Sequence, residues 1–108
     1  MESCVDTILQ DPGRRVRIKP GYAVRAFVDE YLVIPVESPG AEDSKMAVLS
    51  PVAEFIWRLL EVPRAFDEIL GAVVDEFDVT ADIAKSDVID YLYELERYRF
   101  LLMEDEEV

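Results

Sequence analysis

Apolar residues recur with helical spacing near the end of the chain, in the segment DVIDYLYELERYRFLL. One row, made of Val88, Leu92 and Leu95, has the i, i+4, i+7 spacing of a single buried face. Further apolar and aromatic residues fall on the two flanks of that row: Ile89, Tyr91, Tyr93 and Tyr98. The segment therefore predicts a helix with more apolar surface than one core-facing stripe requires.

Two further helices are predicted upstream by their start and stop residues. Ser50-Pro51 combines a hydroxyl N-cap with proline at the first helical position, so a helix should run from there to about residue 61. Pro63 ends it, and a second helix is expected at about 65–77. The last helix should begin at 81 or 86 and end near 99. The segment FLLME after it predicts either a short extended segment or a frayed helix end.

The first half of the chain predicts strands. YAVRAFVDEYLVIPV is rich in Val, Ile, Tyr and Phe, which favours two strands at about 22–28 and 30–36. KMAVL, at 45–49, is a third run of strand length. The order predicts an α+β fold, a three-stranded N-terminal antiparallel sheet followed by three helices, which is also the order of winged helix-turn-helix domains. We expect a loose arm at 1–20, one domain at 21–103 and an acidic tail at 104–108.

The charge of the chain is strongly negative and unevenly distributed. The 108 residues include 24 acidic and 11 basic ones, for a formal net charge of −13. Binding to duplex nucleic acid requires several Lys or Arg contacts, so the charge of the whole chain opposes it. The one basic stretch, RRVRIK, fits a local phosphate contact, a solvated arm or the guard of an edge strand.

The composition also argues against catalysis, cofactor binding and membrane insertion. Cys4 is the only cysteine and histidine is absent, so neither an internal disulfide nor a Cys/His zinc site is expected. The four glycines are isolated, which excludes a Gly-rich phosphate loop. No apolar run approaches the roughly 20 residues of a membrane span, and MESCVD does not resemble a signal peptide. We therefore predict a cytoplasmic protein that is not an enzyme and has no metal site or cofactor.

A binding surface is better supported by the pattern. If KMAVL lies at a sheet edge, its unpaired backbone groups can accept another extended chain. On the last helix, four residues spaced four apart form a row that is apolar in the middle and basic at both ends: Lys85, Ile89, Tyr93 and Arg97. Such a row suits a peptide with alternate hydrophobic and acidic side chains. The alternative, equally compatible with the pattern, is that Ile89 and Tyr93 pack under the N-terminal arm.

Three aromatic residues have simpler interpretations. Tyr91 and Tyr98 continue the core row of the last helix and are expected to seal it against the first helix. Trp57 lies off the apolar face of the first helix, where it would either close the core or anchor a dimer interface.

The C-terminal half resembles the PqqD-like family, whose members are also called RiPP recognition elements. The resembling features are, in order, IWRLL at 56–60, Glu68-Ile69 with Val73, the aromatic and short loop Phe77-Asp78-Val79, and a last helix with Asp87, Val88, Tyr91, Leu92 and Leu95. The predicted strands match the three-stranded N-terminal half of the family in order and length. The resemblance covers about residues 18–103.

The resemblance implies a non-catalytic peptide chaperone. Such domains bind the leader of a ribosomally made precursor peptide and present the peptide to a modifying enzyme, often a radical SAM protein. The leader adds as a strand to the third strand, which here corresponds to Met46, Ala47, Val48 and Leu49. It also lies against the helix that here carries Lys85, Ile89, Tyr93 and Arg97.

Two other classes of function remain open from the sequence. One is a winged-helix DNA-binding regulator whose last helix reads DNA, although Asp87, Asp90 and Glu94 on that helix would oppose the phosphates. The other is a dimeric interaction scaffold in which the flanks of the last helix pack against a second copy of the chain.

Overall fold

The computed structural model of the protein describes residues 3–27, 30–35 and 47–104. The elements in chain order are α1 (Cys4–Gln10), β1 (Val16–Ile18), β2 (Tyr22–Phe27), β3 (Glu30–Pro35), β4 (Ala47–Leu49), α2 (Pro51–Leu59), α3 (Phe66–Phe77), α4 (Ala81–Arg97) and β5 (Leu101–Met103). The predicted α+β class, with antiparallel strands followed by three helices, is confirmed. The structure adds α1 and β1 to the predicted elements, and β5 is the short extended segment that was one of the two alternatives for FLLME.

Strands β2, β3 and β4 form an antiparallel sheet in that order. The hairpin of β2 and β3 pairs Tyr22 with Pro35 and Phe27 with Glu30. Strand β4 pairs with the other side of β3, from Tyr31 opposite Leu49 to Val33 opposite Ala47. Strand β3 is therefore central, and β4 is an edge strand of this sheet as far as the chain is described.

Local sequence sets where the helices begin. Ser50 caps α2, since its hydroxyl oxygen accepts a hydrogen bond from the Ala53 N–H at 3.1 Å, and Pro51 occupies the first turn. The Glu68 carboxylate accepts the Ala65 N–H at 2.8 Å and so satisfies a backbone donor at the start of α3. At α4 the Thr80 hydroxyl takes the same capping role. These side chains satisfy backbone N–H groups in the first turns of α2 and α4 and at the start of α3.

Residues 4–18 differ from the loose arm predicted for 1–20. Helix α1 buries Val5 and Ile8 in the core, and β1 buries Val16 and Ile18. Strand β1 pairs antiparallel with β5, and Val16 also forms a bridge with Arg64 on its other side. Alternation in β1 turns the two apolar residues inward and leaves the charged residues between and around them outside. Val5 and Ile8 have helical spacing and Val16 and Ile18 have strand spacing, but elements this short give too weak a periodic signal to predict their packing.

Trp57 closes the core. Its side chain is 1% exposed, and its ring contacts that of Phe100 edge to face with the centroids 5.1 Å apart. The Tyr22 ring meets Phe100 in the same way at 4.9 Å, so one aromatic cluster joins β2, α2 and the segment before β5. Of the two interpretations of Trp57, core closure is the one consistent with its burial.

Candidate functional site

The edge strand β4 is the first component of the candidate site. It has β3 on one side and no strand partner on the other among the described residues. Its backbone covers three of the four predicted strand positions, Ala47, Val48 and Leu49, whereas Met46 lies outside the described residues. An edge of this kind offers unpaired N–H and C=O groups to an extended chain.

The predicted row on the last helix lies along one flank of α4. Lys85 and Arg97, at its ends, are exposed, and Ile89 is partly buried against the core. Tyr93 is 38% exposed. The structure therefore keeps both cations and part of the Tyr93 ring accessible to solvent, while Ile89 also supports the fold.

Helix α1 lies against the C-terminal half of the same flank. The Tyr93 hydroxyl donates a hydrogen bond to the Asp6 carboxylate. The Glu96 carboxylate accepts the backbone N–H groups of Cys4 at 2.9 Å and Val5 at 3.2 Å. The hydrogen bond to Asp6 is the main reason why the pKa of Tyr93 is raised. Tyr93 thus has the contact with the N-terminal segment that one of the two sequence interpretations expected, and sequence reasoning missed Asp6 and Glu96.

The opposite flank of α4 carries a cavity of about 260 Å³ at the start of α2. The described residues that line it are Ser50, Val52, Ala53, Ile56, Asp87 and Tyr91. Tyr91 packs against the core and lines the cavity together with residues of α2, the helix that it was predicted to contact. Tyr98 does not share this position, since it is 49% exposed and its ring is tilted against Phe100.

Tyr91, which lines this cavity, carries an unusual polar group. Its hydroxyl oxygen is buried and has no hydrogen-bond partner in the part of the chain that the structure describes. Burial, together with the nearby Glu94 carboxylate, raises the pKa of Tyr91 far above its ordinary value. The group therefore remains a protonated donor at neutral pH. The i, i+4 spacing of Asp87 and Tyr91 is the sequence signal that would have placed the two residues on one flank.

The basic stretch RRVRIK is not a guard of an edge strand. Its central residues form β1, which has β5 on one side and the bridge to Arg64 on the other. The Arg15 guanidinium lies 3.4 Å from the Glu68 carboxylate, and Arg17 donates to the Glu61 carbonyl at 3.4 Å. The Ala65 N–H, followed by the Arg15 and Arg64 charges, holds the pKa of Glu68 below its usual value. These cations are thus engaged in holding β1 to the loop before α3.

Within residues 3–27, 30–35 and 47–104, no three Cys, Asp or Glu side chains come together as a metal site would require. No helix in the described part of the chain is both long and apolar enough to span a membrane.

Comparison with known proteins gives one family and two similar solved structures. The model of the family of coenzyme PQQ synthesis protein D (PqqD) matches residues 30–101. TbiB1, solved in complex with the TbiA(beta) leader peptide, is 22% identical with a TM-score of 0.62, over 85% of this chain and 99% of that chain. No curated protein matches the chain.

The second structure is the PqqD truncation of Methylobacterium extorquens PqqCD, a functional and stand-alone RiPP recognition element. It is 16% identical with a TM-score of 0.64, over 85% of this chain and 93% of that chain. At these identities, the likeness to both structures concerns the fold.

Proposed function

The chain belongs to the PqqD family, and from this membership we propose that it binds the leader of a ribosomally made precursor peptide by strand addition to β4. In this role the protein is a non-catalytic chaperone that needs no cofactor. It presents the bound peptide to a modifying enzyme, for which a radical SAM protein is the first candidate.

The observation that carries the proposal is the edge position of β4 in the sheet order β2-β3-β4. A peptide strand placed beside Ala47–Leu49 would pair its main chain with backbone groups that β3 does not use. Main-chain pairing supplies affinity with little dependence on sequence, so side-chain contacts elsewhere must supply the specificity. The solved TbiB1 complex, of similar fold, contains a leader peptide.

The side-chain contacts that we propose lie on α4, at Lys85, Ile89, Tyr93 and Arg97. The two cations at the ends of this row favour acidic side chains in the leader, and Ile89 with the Tyr93 ring favours an apolar one. Because Asp6 already accepts the Tyr93 hydroxyl, the peptide would use the exposed part of the ring.

The test is titration of the ¹⁵N-labelled protein with synthetic peptides of 20 residues that cover, in overlapping steps, the short open reading frames next to its gene. We expect one leader to bind with a Kd of roughly 1 μM, about −8 kcal/mol. Its amide shifts should fall in residues 47–49 and 85–97. Shifts confined to α2, or binding by none of these peptides, would contradict the proposal.

A charge-reversal pair tests the side-chain contacts. Lys85→Glu and Arg97→Glu should each weaken binding of an acidic leader several-fold, and more strongly at low salt. Arg25→Glu is the matched control, since Arg25 is exposed on β2, at the opposite edge of the sheet from β4. Equal effects of all three substitutions would mean that only the net charge matters.

The same samples test the two other classes of function. A winged-helix DNA-binding regulator would show salt-dependent shifts with nonspecific duplex DNA. A dimeric scaffold would sediment as a dimer without peptide. We expect a monomer that does not respond to DNA.

A further inference from the structure

The cavity on the Tyr91 flank of α4 begins where the edge strand ends. Ser50 directly follows Leu49, the last residue of β4, and lines the cavity with Asp87 and Tyr91. A peptide that runs along β4 and continues beyond its C-terminal end would therefore bring its following residues to this cavity, on the other flank of α4 from the Lys85–Arg97 row proposed for the rest of the peptide. The volume of about 260 Å³ is below that of sites for drug-sized ligands and suits a single side chain.

The walls of the cavity are apolar and its polar groups are few. Val52, Ala53 and Ile56 supply the apolar wall on α2. Opposite them, α4 contributes Asp87, whose carboxylate is an acceptor, and Tyr91, whose buried hydroxyl is a donor without an acceptor among the described residues. A buried donor that makes no hydrogen bond destabilises the fold and is rare in native proteins, so a partner for the Tyr91 hydroxyl is to be looked for.

We infer that this cavity is a specificity subsite for the peptide, in which the Tyr91 hydroxyl donates to a carboxamide side chain of glutamine or asparagine. The Asp87 carboxylate accepts the amide N–H of the same group and repels acidic side chains. The methylenes of a glutamine would lie against Val52 and Ile56. The inference rests on the proposed peptide-binding function and adds to it the class of side chain that the protein recognises at one position of the peptide.

The choice of a carboxamide follows from the two polar groups taken together. Tyr91 needs an acceptor, which excludes lysine and arginine, and Asp87 needs a donor, which excludes aspartate and glutamate. Serine, threonine and neutral histidine also donate and accept, but a glutamine carboxamide combines both functions with flexible methylenes that can lie against Val52 and Ile56. The Tyr91 hydroxyl is buried in the free protein, so binding involves a side-chain rotation of the kind that is common at interfaces.

The first test compares Tyr91→Phe with wild type in stability and in affinity for the leader found among the overlapping 20-residue peptides. Removing an unpaired buried hydroxyl should raise the melting temperature of the free protein by a few degrees. It should at the same time weaken peptide binding about threefold to tenfold, the value of one neutral hydrogen bond. A higher melting temperature combined with weaker peptide binding is expected only of a donor that makes no hydrogen bond until the peptide binds. Tyr98→Phe, a half-exposed position near the end of the same helix, should leave affinity within about twofold.

The second test identifies the peptide position that the cavity reads. Each residue of the leader is replaced in turn by Ala, Gln and Glu, and binding is measured by calorimetry. At one position wild type should prefer Gln over Ala and Ala over Glu. The preference for Gln should vanish with Tyr91→Phe, and the penalty for Glu should shrink with Asp87→Asn.

Three outcomes would overturn the inference. They are unchanged affinity in Tyr91→Phe, a lower melting temperature of the free Tyr91→Phe protein, and the absence of any peptide position with this order of preference. If a leader binds and shifts β4 but one of these outcomes occurs, the proposed function stands and the subsite does not. If no peptide binds wild type, both fail.

Discussion

Helix α1 is held to α4 through one carboxylate, and removing that carboxylate should release the N-terminal segment. The Glu96 side chain accepts the N–H groups of Cys4 and Val5, which are among the backbone donors at the start of α1 that the helix itself does not satisfy. We predict that Glu96→Ala destabilises the protein substantially and that Glu96→Gln, which keeps one acceptor oxygen, does so by less.

The magnitude can be worked from the two hydrogen bonds. Bonds to a charged acceptor contribute about 1.5–3 kcal/mol each when well buried, and Glu96 is only partly buried, so about 1 kcal/mol each is reasonable. The favourable interaction of a negative charge with a helix N-terminus adds about 0.5 kcal/mol. Glu96→Ala should therefore cost about 2–3 kcal/mol, or about 8–12 °C in melting temperature for a domain of this size. Glu96→Gln should cost about 1 kcal/mol.

The assay combines thermal unfolding with amide hydrogen exchange. Thermal unfolding by circular dichroism gives the global effect of each substitution. Exchange at the amides of Cys4 and Val5 should accelerate more than exchange at residues 88–95 in the Glu96 variants, because α1 would open locally before the domain unfolds. This separates loss of the α1 contact from a general loss of stability.

Glu94→Gln is the matched control, since Glu94 is exposed on the same helix and the chemical change is the same. It should alter stability by no more than about 0.5 kcal/mol. Equal melting temperatures of Glu96→Gln and Glu94→Gln would contradict this role of Glu96. Unchanged protection of the α1 amides in Glu96→Ala would contradict it as well.

The remaining predictions concern pH and the core. The Ala65 N–H lowers the pKa of Glu68, so the ionised carboxylate stabilises the folded protein at neutral pH. This stabilisation is lost as the pH falls below about 5, so the melting temperature of Glu68→Gln should depend less on pH in that range than that of wild type. The hydrogen bond to Asp6 raises the pKa of Tyr93. The stabilisation that this bond gives the folded protein is therefore present below about pH 10 and is lost as the pH rises further. The melting temperature of Tyr93→Phe should fall less at alkaline pH than that of wild type. Trp57→Ala should lower the free energy of unfolding by about 3–5 kcal/mol in urea denaturation, and a loss below about 1 kcal/mol would contradict its role in the core.

Local sequence signals were sufficient to predict the three C-terminal helices and the three strands of the sheet. Ser50-Pro51 and Pro63 define α2 from neighbouring residues alone, and the period of Val88, Leu92 and Leu95 identifies the buried face of α4. Such features depend on contacts close in sequence, so a single sequence carries them in full. The edge position of the third strand was only a condition of the binding hypothesis, and it is seen in the sheet order of the described residues.

Contacts between distant segments could not be predicted in this way. Nothing near Val5 or Val16 indicates that their partners lie in α4 and β5, because three-residue strands and a seven-residue helix give almost no periodic signal. The cavity was missed for a related reason. Asp87 and Tyr91 share a flank by spacing, but only the position of α2 brings Ser50 and Ile56 opposite them.

The pairing of β1 with β5 has a consequence for the order in which the chain folds while it is being synthesised. The Cys4 amide and its Glu96 acceptor are 92 residues apart, and β1 likewise waits for a strand near the other end of the sequence. Contacts of such long range close slowly, and during translation they cannot form until the later segment has left the ribosome. We expect residues 4–18 to be synthesised first and to join the fold last, with Val5, Ile8, Val16 and Ile18 open to chaperones in the interval.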